Sequence, residues 1–260
     1  MKSVLTIAGS DCSGGAGIQA DIKTITVHKM YAMSAITALT AQNTTGVYGV
    51  LEATQEFVGQ QLDCIFTDIF PDAVKIGMLS DSGIIEVVAA KLQEYGARNI
   101  VLDPVMIATS GSYLINKEAI ATLQSKLLPL ADIITPNIPE AESLTGIKIT
   151  TREQMLRAAR QLKEKIPGYV LIKGGHLPDA ADDLLYYSDD DTVWFKSERI
   201  GNPNTHGTGC TLSSAIACNL AAGHNMASAV EKAKAYITGA IKANLNLGKG
   251  HGPLNHCFSI

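Results

Sequence analysis

Short apolar runs and helix-periodic segments alternate along the chain, and this alternation limits the fold more than any other feature. Residues 3–8, 74–78, 100–105, 133–136 and 169–173 each read as a buried strand. Apolar residues recur at helical spacing between and after them. One set is Ile84, Ile85, Val88, Leu92 and Tyr95; another is Met155, Ala159, Leu162 and Ile166; a third is Met226, Val230, Ala233, Ile237 and Ile241. A glycine-rich turn after the first strand opens a helix over 16–29. Strands separated by helices imply right-handed crossovers and a largely parallel sheet between helical layers. Residues 183–187 and 192–195, joined by 188–191, read instead as an antiparallel hairpin. With no repeat, linker or boundary, the expectation is one α/β domain over 1–260, with a mostly parallel central sheet flanked by helices.

Charge is distributed unevenly over this frame. The chain has 21 basic and 25 acidic residues, a net charge of −4, and 18% charged residues against about 25% in ordinary domains. Residues 30–51 and 200–230 contain no Asp, Glu, Lys or Arg. Neither is apolar enough to span a bilayer, since the first holds four threonines with Gln42 and Asn43, and the second has two histidines and several glycines. The apolar run at 4–8 is shorter than the ~7–15 residues of a signal-peptide core. The expectation is a cytoplasmic protein with no nucleic-acid or membrane partner. Cys12, Cys64, Cys210, Cys218 and Cys257 are scattered without a paired motif and read as reduced thiols.

Two glycine loops carry the chemistry. Gly15-Ala16-Gly17-Ile18-Gln19-Ala20 follows a strand, opens a helix and fits the dinucleotide fingerprint. It lacks the ribose-binding acid about 20 positions on, for after Asp21 no acid occurs before Glu52. A dinucleotide oxidoreductase is therefore disfavoured, and no P-loop exists. The second loop, His206-Gly207-Thr208-Gly209-Cys210-Thr211, precedes a helical run over 212–222. Unpaired N–H groups and the positive end of the helix dipole make such a loop an anion site. Cys210 in the first turn is expected to be lowered toward thiolate. A glycine-capped helix with a small buried cysteine is the plain alternative.

Polar residues also recur where strands end. Asp103-Pro104, Thr135-Pro136-Asn137 with Glu140, and Lys173-Gly174-Gly175-His176 all lie at carboxyl ends, where open α/β sheets bind ligands. An acid with an Asn-x-x-Glu pair can hold Mg²⁺, often through water, and a lysine can neutralise phosphate. Together these groups suggest phosphoryl transfer.

Taken in order, the blocks resemble the ribokinase-like superfamily in its vitamin kinase branch, and within it the hydroxymethylpyrimidine/phosphomethylpyrimidine kinases of thiamine biosynthesis. The resemblance spans nearly the whole chain. It rests on residues 5–11 and 13–21, Thr40-Ala41-Gln42-Asn43-Thr44, Lys75-Ile76-Gly77-Met78-Leu79, residues 102–105, Asn137 with Glu140, and residues 206–211. It implies a three-layer fold and an ATP- and Mg²⁺-dependent enzyme. That enzyme phosphorylates 4-amino-5-hydroxymethyl-2-methylpyrimidine and then its monophosphate. Gly9, Asp21, Gln42, Met78 and Val105 would line the pyrimidine pocket, and the Gln42 amide can pair with an aminopyrimidine edge. Gly207, Thr208, Gly209 and Cys210 would stabilise the transferred phosphoryl group. Asp103, Asn137 and Glu140 would organise Mg²⁺, directly or through water, with Lys173 and Thr208 at the ATP phosphates. Sugar kinases of the superfamily usually place an Asp base where this chain has Cys210, which acts either as base or by position.

The resemblance also implies a homodimer. The close alternative activity is a pyridoxal/pyridoxine kinase, and a non-catalytic ligand sensor is the alternative of another class. His206 contacts phosphate or caps its loop, His176 is undecided, and Lys234 faces solvent or nucleotide. His251, His256 and Cys257 read as loose tail residues rather than a metal site.

Overall fold

A computed structural model describes residues 1–106, 115–175, 182–196 and 200–260. The chain opens with β1 (Ser3–Asp11) and α1 (Gly17–Val27), then β2 (Tyr31–Asn43) and β3 (Gly46–Glu52). Next come α2 (Gln55–Phe66), β4 (Ala73–Ile76), α3 (Ser82–Glu94) and β5 (Ile100–Leu102). Thr54 and Asp81 cap α2 and α3 by accepting the N3 amide, which fixes where each helix begins. α4 (Lys117–Thr122) runs through a π-helical turn and a 3-10 turn into β6 (Ile133–Ile134). α5 (Ile138–Thr145) and α6 (Arg152–Lys163) both start in capping boxes, and β7 (Tyr169–Ile172) follows. β8 (Asp183–Tyr186), β9 (Thr192–Phe195), α7 (Thr208–Ala221) and α8 (Met226–Lys242) complete the order.

The nine strands among the described residues form one sheet in the order β3-β2-β1-β4-β5-β6-β7-β8-β9. The run from β2 to β7 is parallel, and the expected hairpin β8–β9 is antiparallel. β3 adds a second antiparallel edge that the sequence did not suggest. Alternation along the strands divides the core: Leu5, Ile7, Val74, Ile76 and Leu102 face α2 to α6. Val4, Val101 and Ile133 face α1, α7 and α8. The three-layer architecture thus follows from strands buried on both faces.

Within this frame the parallel strands end at one rim, and β1 and β4 diverge there toward α1 and α3. Gly9–Asp11, Met78, Asp103, Asn137 and Lys173 come together at that rim.

Candidate active site

The rim encloses a cavity of about 590 Å³. Gly9, Gln42, Met78 and Val105 line it, as do Asp103, Asn137, Glu140 and Lys173. Gly207, Thr208, Gly209 and Cys210 complete the wall. Twelve of the thirteen residues singled out by sequence therefore meet in one place.

The exception is Asp21, which corrects the expectation that it lines the ring pocket. Its side chain is fully enclosed, with the Thr6 hydroxyl at 2.6 Å, Lys75 Nζ at 2.8 Å and the Ser214 hydroxyl at 2.7 Å. A position in the middle of α1 turns it under the sheet, away from the cavity.

α7 begins at Gly207, whose φ of +85° is a left-handed conformation that an L side chain adopts only under strain. No side chain caps the helix, which leaves first-turn amides at Gly209 and Cys210 beside the cavity. The two glycine loops pack on each other. A Cβ at Gly207 would collide with the Gly15 carbonyl, so the glycines serve this contact rather than a dinucleotide. His206 Nε2 lies 2.8 Å from Asp11 Oδ2. Asp11 also accepts from Ser13 N and Oγ at 2.8 and 2.7 Å and from Ala16 N at 2.8 Å. Burial alone would raise the Asp11 pKa, but hydrogen bonds from His206, Ser13 and Gln42 outweigh it and hold the carboxyl well below its usual range.

The thiol of Cys210 also departs from expectation. Burial pushes it up to about 11, although Lys75 pulls the other way. Desolvation therefore outweighs Lys75 and the Gly17 backbone hydrogen bond, and the resting group is a thiol.

Beside the loop stands a charged cluster. Lys173 Nζ lies 2.9 Å from Asp103 Oδ1 and 4.0 Å from Glu140 Oε2. The Thr135 hydroxyl donates to Asp103 at 2.9 Å. Burial would raise Asp103, but Lys173 and Lys75 hold it below its ordinary value. Glu140 is pushed up to about 7, chiefly by burial and then by Asp103, against the pull of Lys173. Asn137 and Glu140 form the capping box of α5, with Glu140 accepting from Asn137 N at 2.8 Å and Asn137 Oδ1 accepting from Glu140 N at 2.9 Å. A Cβ at Gly209 would stand 3.3 Å from Asp103 Oδ2 and 3.4 Å from Lys173 Nζ, so loop and cluster share one wall. Once Glu140 loses its proton, two buried carboxylates face Lys173, and the donors are hard oxygens. That set fits Mg²⁺ retaining much of its water. Among the described residues no group of three or more His, Cys, Asp or Glu forms a complete metal cage.

Sequence reasoning assigned no role to Asp11, Cys12 or Lys75. Asp11 was detectable as the acid closing β1 before a glycine turn. Cys12 Sγ donates to the Gln42 carbonyl at 3.1 Å and accepts from Gln42 N at 3.4 Å. It thereby pins the irregularity at Ala41/Gln42, where a bulge re-aims the side chain. No sequence spacing signals that contact.

The remaining candidates resolve structurally. His206 joins the loops while also lining the cavity. Lys234 pairs with Asp183, whose other oxygen accepts from Gly174 N at 2.8 Å. His176 lies outside the described residues. The tail is packed rather than loose at His256, which is buried against the Thr211 hydroxyl at 2.9 Å. His251 and Cys257 are exposed, and all five cysteines are free.

Comparison with known proteins gives this geometry a context. A family profile described as phosphomethylpyrimidine kinase matches residues 11–255. The thiamine biosynthesis bifunctional protein ThiED of Geobacter sulfurreducens is 52% identical over 99% of this chain, which spans only 52% of that protein. The crystal structure of phosphomethylpyrimidine kinase from Clostridium difficile superposes with a TM-score of 0.84 at 48% identity, covering 93% of this chain and 100% of that one. An ADP complex of Bacillus subtilis pyridoxal kinase superposes with a TM-score of 0.91 at 38% identity, covering 98% and 97%.

Proposed function

The chain belongs to the phosphomethylpyrimidine kinase family, and from that premise we propose that it uses ATP to phosphorylate 4-amino-5-hydroxymethyl-2-methylpyrimidine and then the monophosphate. The observation that carries this reading is that one cavity is lined by Gln42, by the uncapped start of α7 and by the Lys173 cluster. Gln42 offers a donor and an acceptor to an aminopyrimidine edge. Gly9 and Met78 give the neutral ring a close, uncharged wall.

Transfer places the substrate hydroxyl oxygen on the terminal phosphorus as the bond to ADP breaks. The Gly209 and Cys210 amides stabilise the charge on the transferred group, and Lys173 neutralises phosphate. Asp103, Asn137 and Glu140 would hold Mg²⁺ through water, and the ion would supply further charge neutralisation. With a thiol near 11, Cys210 acts by position, because a loose transition state needs little base assistance.

Initial rates with the pyrimidine, its monophosphate and pyridoxal test the assignment. The pyridoxal kinase likeness makes vitamin B6 the second reading, and a higher kcat/KM for pyridoxal than for the pyrimidine overturns the first. Gln42→Leu is expected to raise the pyrimidine KM by about tenfold or more with the ATP KM within about twofold. Equal losses for both substrates point to a structural role for Gln42.

Leu39, Tyr48, Val50 and Leu51 are exposed on β2 and the edge strand β3, whose outer side pairs with no strand among the described residues, inside the charge-free segment 30–51. A bare apolar edge of this kind is a pairing surface, so we infer a homodimer formed there. Light scattering should give twice the chain mass, and Leu51→Lys should give the monomer; a monomeric parent protein overturns the inference. No helix among the described residues is long and apolar enough to cross a membrane, and five free thiols suit a reducing cytoplasm. The net charge of −4 favours a small-molecule partner over nucleic acid.

A further inference from the structure

Lys75 and Asp21 have no part in the transfer described above, yet they form an ion pair of 2.8 Å with neither side chain exposed. Such a pair is weak support for stability, because apolar replacements of buried pairs are often at least as stable. Its connections suggest a different purpose. Asp21 on α1 takes the Thr6 hydroxyl of β1 on the same oxygen as Lys75, and the Ser214 hydroxyl of α7 on the other. Ser214 lies one helical turn after Cys210, so the two share a face of α7. Lys75 arrives from β4, and a Cβ at Gly77 would stand 2.6 Å from its Nζ. The ammonium therefore lies behind the strand end that leads into Met78 and the cavity.

The charged groups facing the Cys210 thiol are Lys75 from β4, Lys173 after β7, Asp21 from α1 and Asp103 after β5. The segment that carries the phosphoryl loop, 200–230, has no Lys or Arg of its own. Positive charge near Cys210 must come from other elements, and β4 supplies Lys75 beside the Lys173 that follows β7.

We propose that Lys75 and Asp21 are a positioning pair for phosphoryl transfer: Asp21 fixes the first turns of α7 through Ser214, and the Lys75 ammonium sets a positive potential behind Cys210. The proposal rests on the reading of Gly207–Cys210 as the phosphoryl site. Lys75 is also the strongest influence holding the thiol down against burial. A fixed charge in a dry interior acts without the reorganisation that water would require.

The test uses Lys75→Met combined with Asp21→Asn, which removes both charges and leaves an amide oxygen for Ser214. The melting temperature should stay within a few degrees, since the net worth of a buried pair is small. The kcat should fall about tenfold or more with both KM values within about threefold. A second readout needs no substrate. In a Cys12→Ser, Cys64→Ser, Cys257→Ser background, iodoacetamide labelling of Cys210 is followed by mass spectrometry from pH 7 to 10. Labelling should slow by about fivefold or more in the double variant, and its pH profile should move upward. An unmoved labelling profile overturns the proposal whatever kcat does. If the parent enzyme turns over neither pyrimidine nor pyridoxal, the functional reading fails while the labelling still decides the pair. Should the double variant not fold, Ser214→Ala cuts the tie to α7. Its kcat should then fall severalfold at constant KM, and an unchanged kcat overturns the proposal.

Discussion

Gly207→Ala lowers kcat by about 10²-fold or more while the protein stays folded, the loss expected when a phosphoryl-binding amide is displaced. Two effects act together at this position. The φ of +85° is strained for any residue with a Cβ, and that Cβ would meet the Gly15 carbonyl, a backbone atom that cannot swing aside. The chain relieves both by moving the loop, which carries the Gly209 and Cys210 amides away from the transferred group. Steady-state kinetics with a melting curve checks this result. Wild-type kcat in the variant would show that the loop tolerates the shift and that the amides are not aimed at the phosphoryl group.

Lys173→Met produces the largest loss of stability, and the loss depends on pH. Asp103 and Glu140 then face each other without the cation between them, and breaking a buried ionic group costs about 3–5 kcal/mol. Glu140 already sits near 7 in the folded protein against 4.5 unfolded. Between those values the unfolded chain releases the proton first, so folding stability falls as pH rises. Without Lys173 the folded Glu140 holds its proton still more firmly, and the fall steepens and extends above pH 7. Urea midpoints in metal-free buffer should therefore show a modest deficit at pH 5, where Glu140 is protonated, and a large one at pH 8. Equal deficits at both pH values would refute the electrostatic account. The same variant should lose most of its kcat, because no other lysine among the described residues lines the cavity.

Much of the molecule was legible in its sequence, for identifiable reasons. The parallel strands are short apolar runs buried on both faces, and that burial wrote them plainly at 3–8 and 169–173, while the run at 100–105 is strand only over Ile100–Leu102. The rim residues were legible because Asp103, Asn137 and Lys173 each interrupt an apolar run at its carboxyl end. β2 and β3 were not. Leu39, Tyr48 and Leu51 are apolar yet exposed, so hydrophobicity and burial disagree in that hairpin. The charge-free segment 30–51 gives Thr40 and Gln42 to the cavity, but much of its length is an open sheet edge. Asp21 and Cys210 went astray for a shared reason. Spacing places a residue on an element, whereas the direction it faces and the water it loses depend on what packs against that element.

The bonds that close the site also set when it can exist. His206 reaches Asp11 across 195 residues, and Ser214 reaches Asp21 across 193. Loop closure over such separations comes late in folding, after local helices and neighbouring strands have formed. A chain still emerging from the ribosome has most of its sheet sequence before it has any loop to place beside Asp11. Catalytic competence therefore arrives as a finishing event of synthesis, since a chain that stops short of His206 and Ser214 cannot make these bonds.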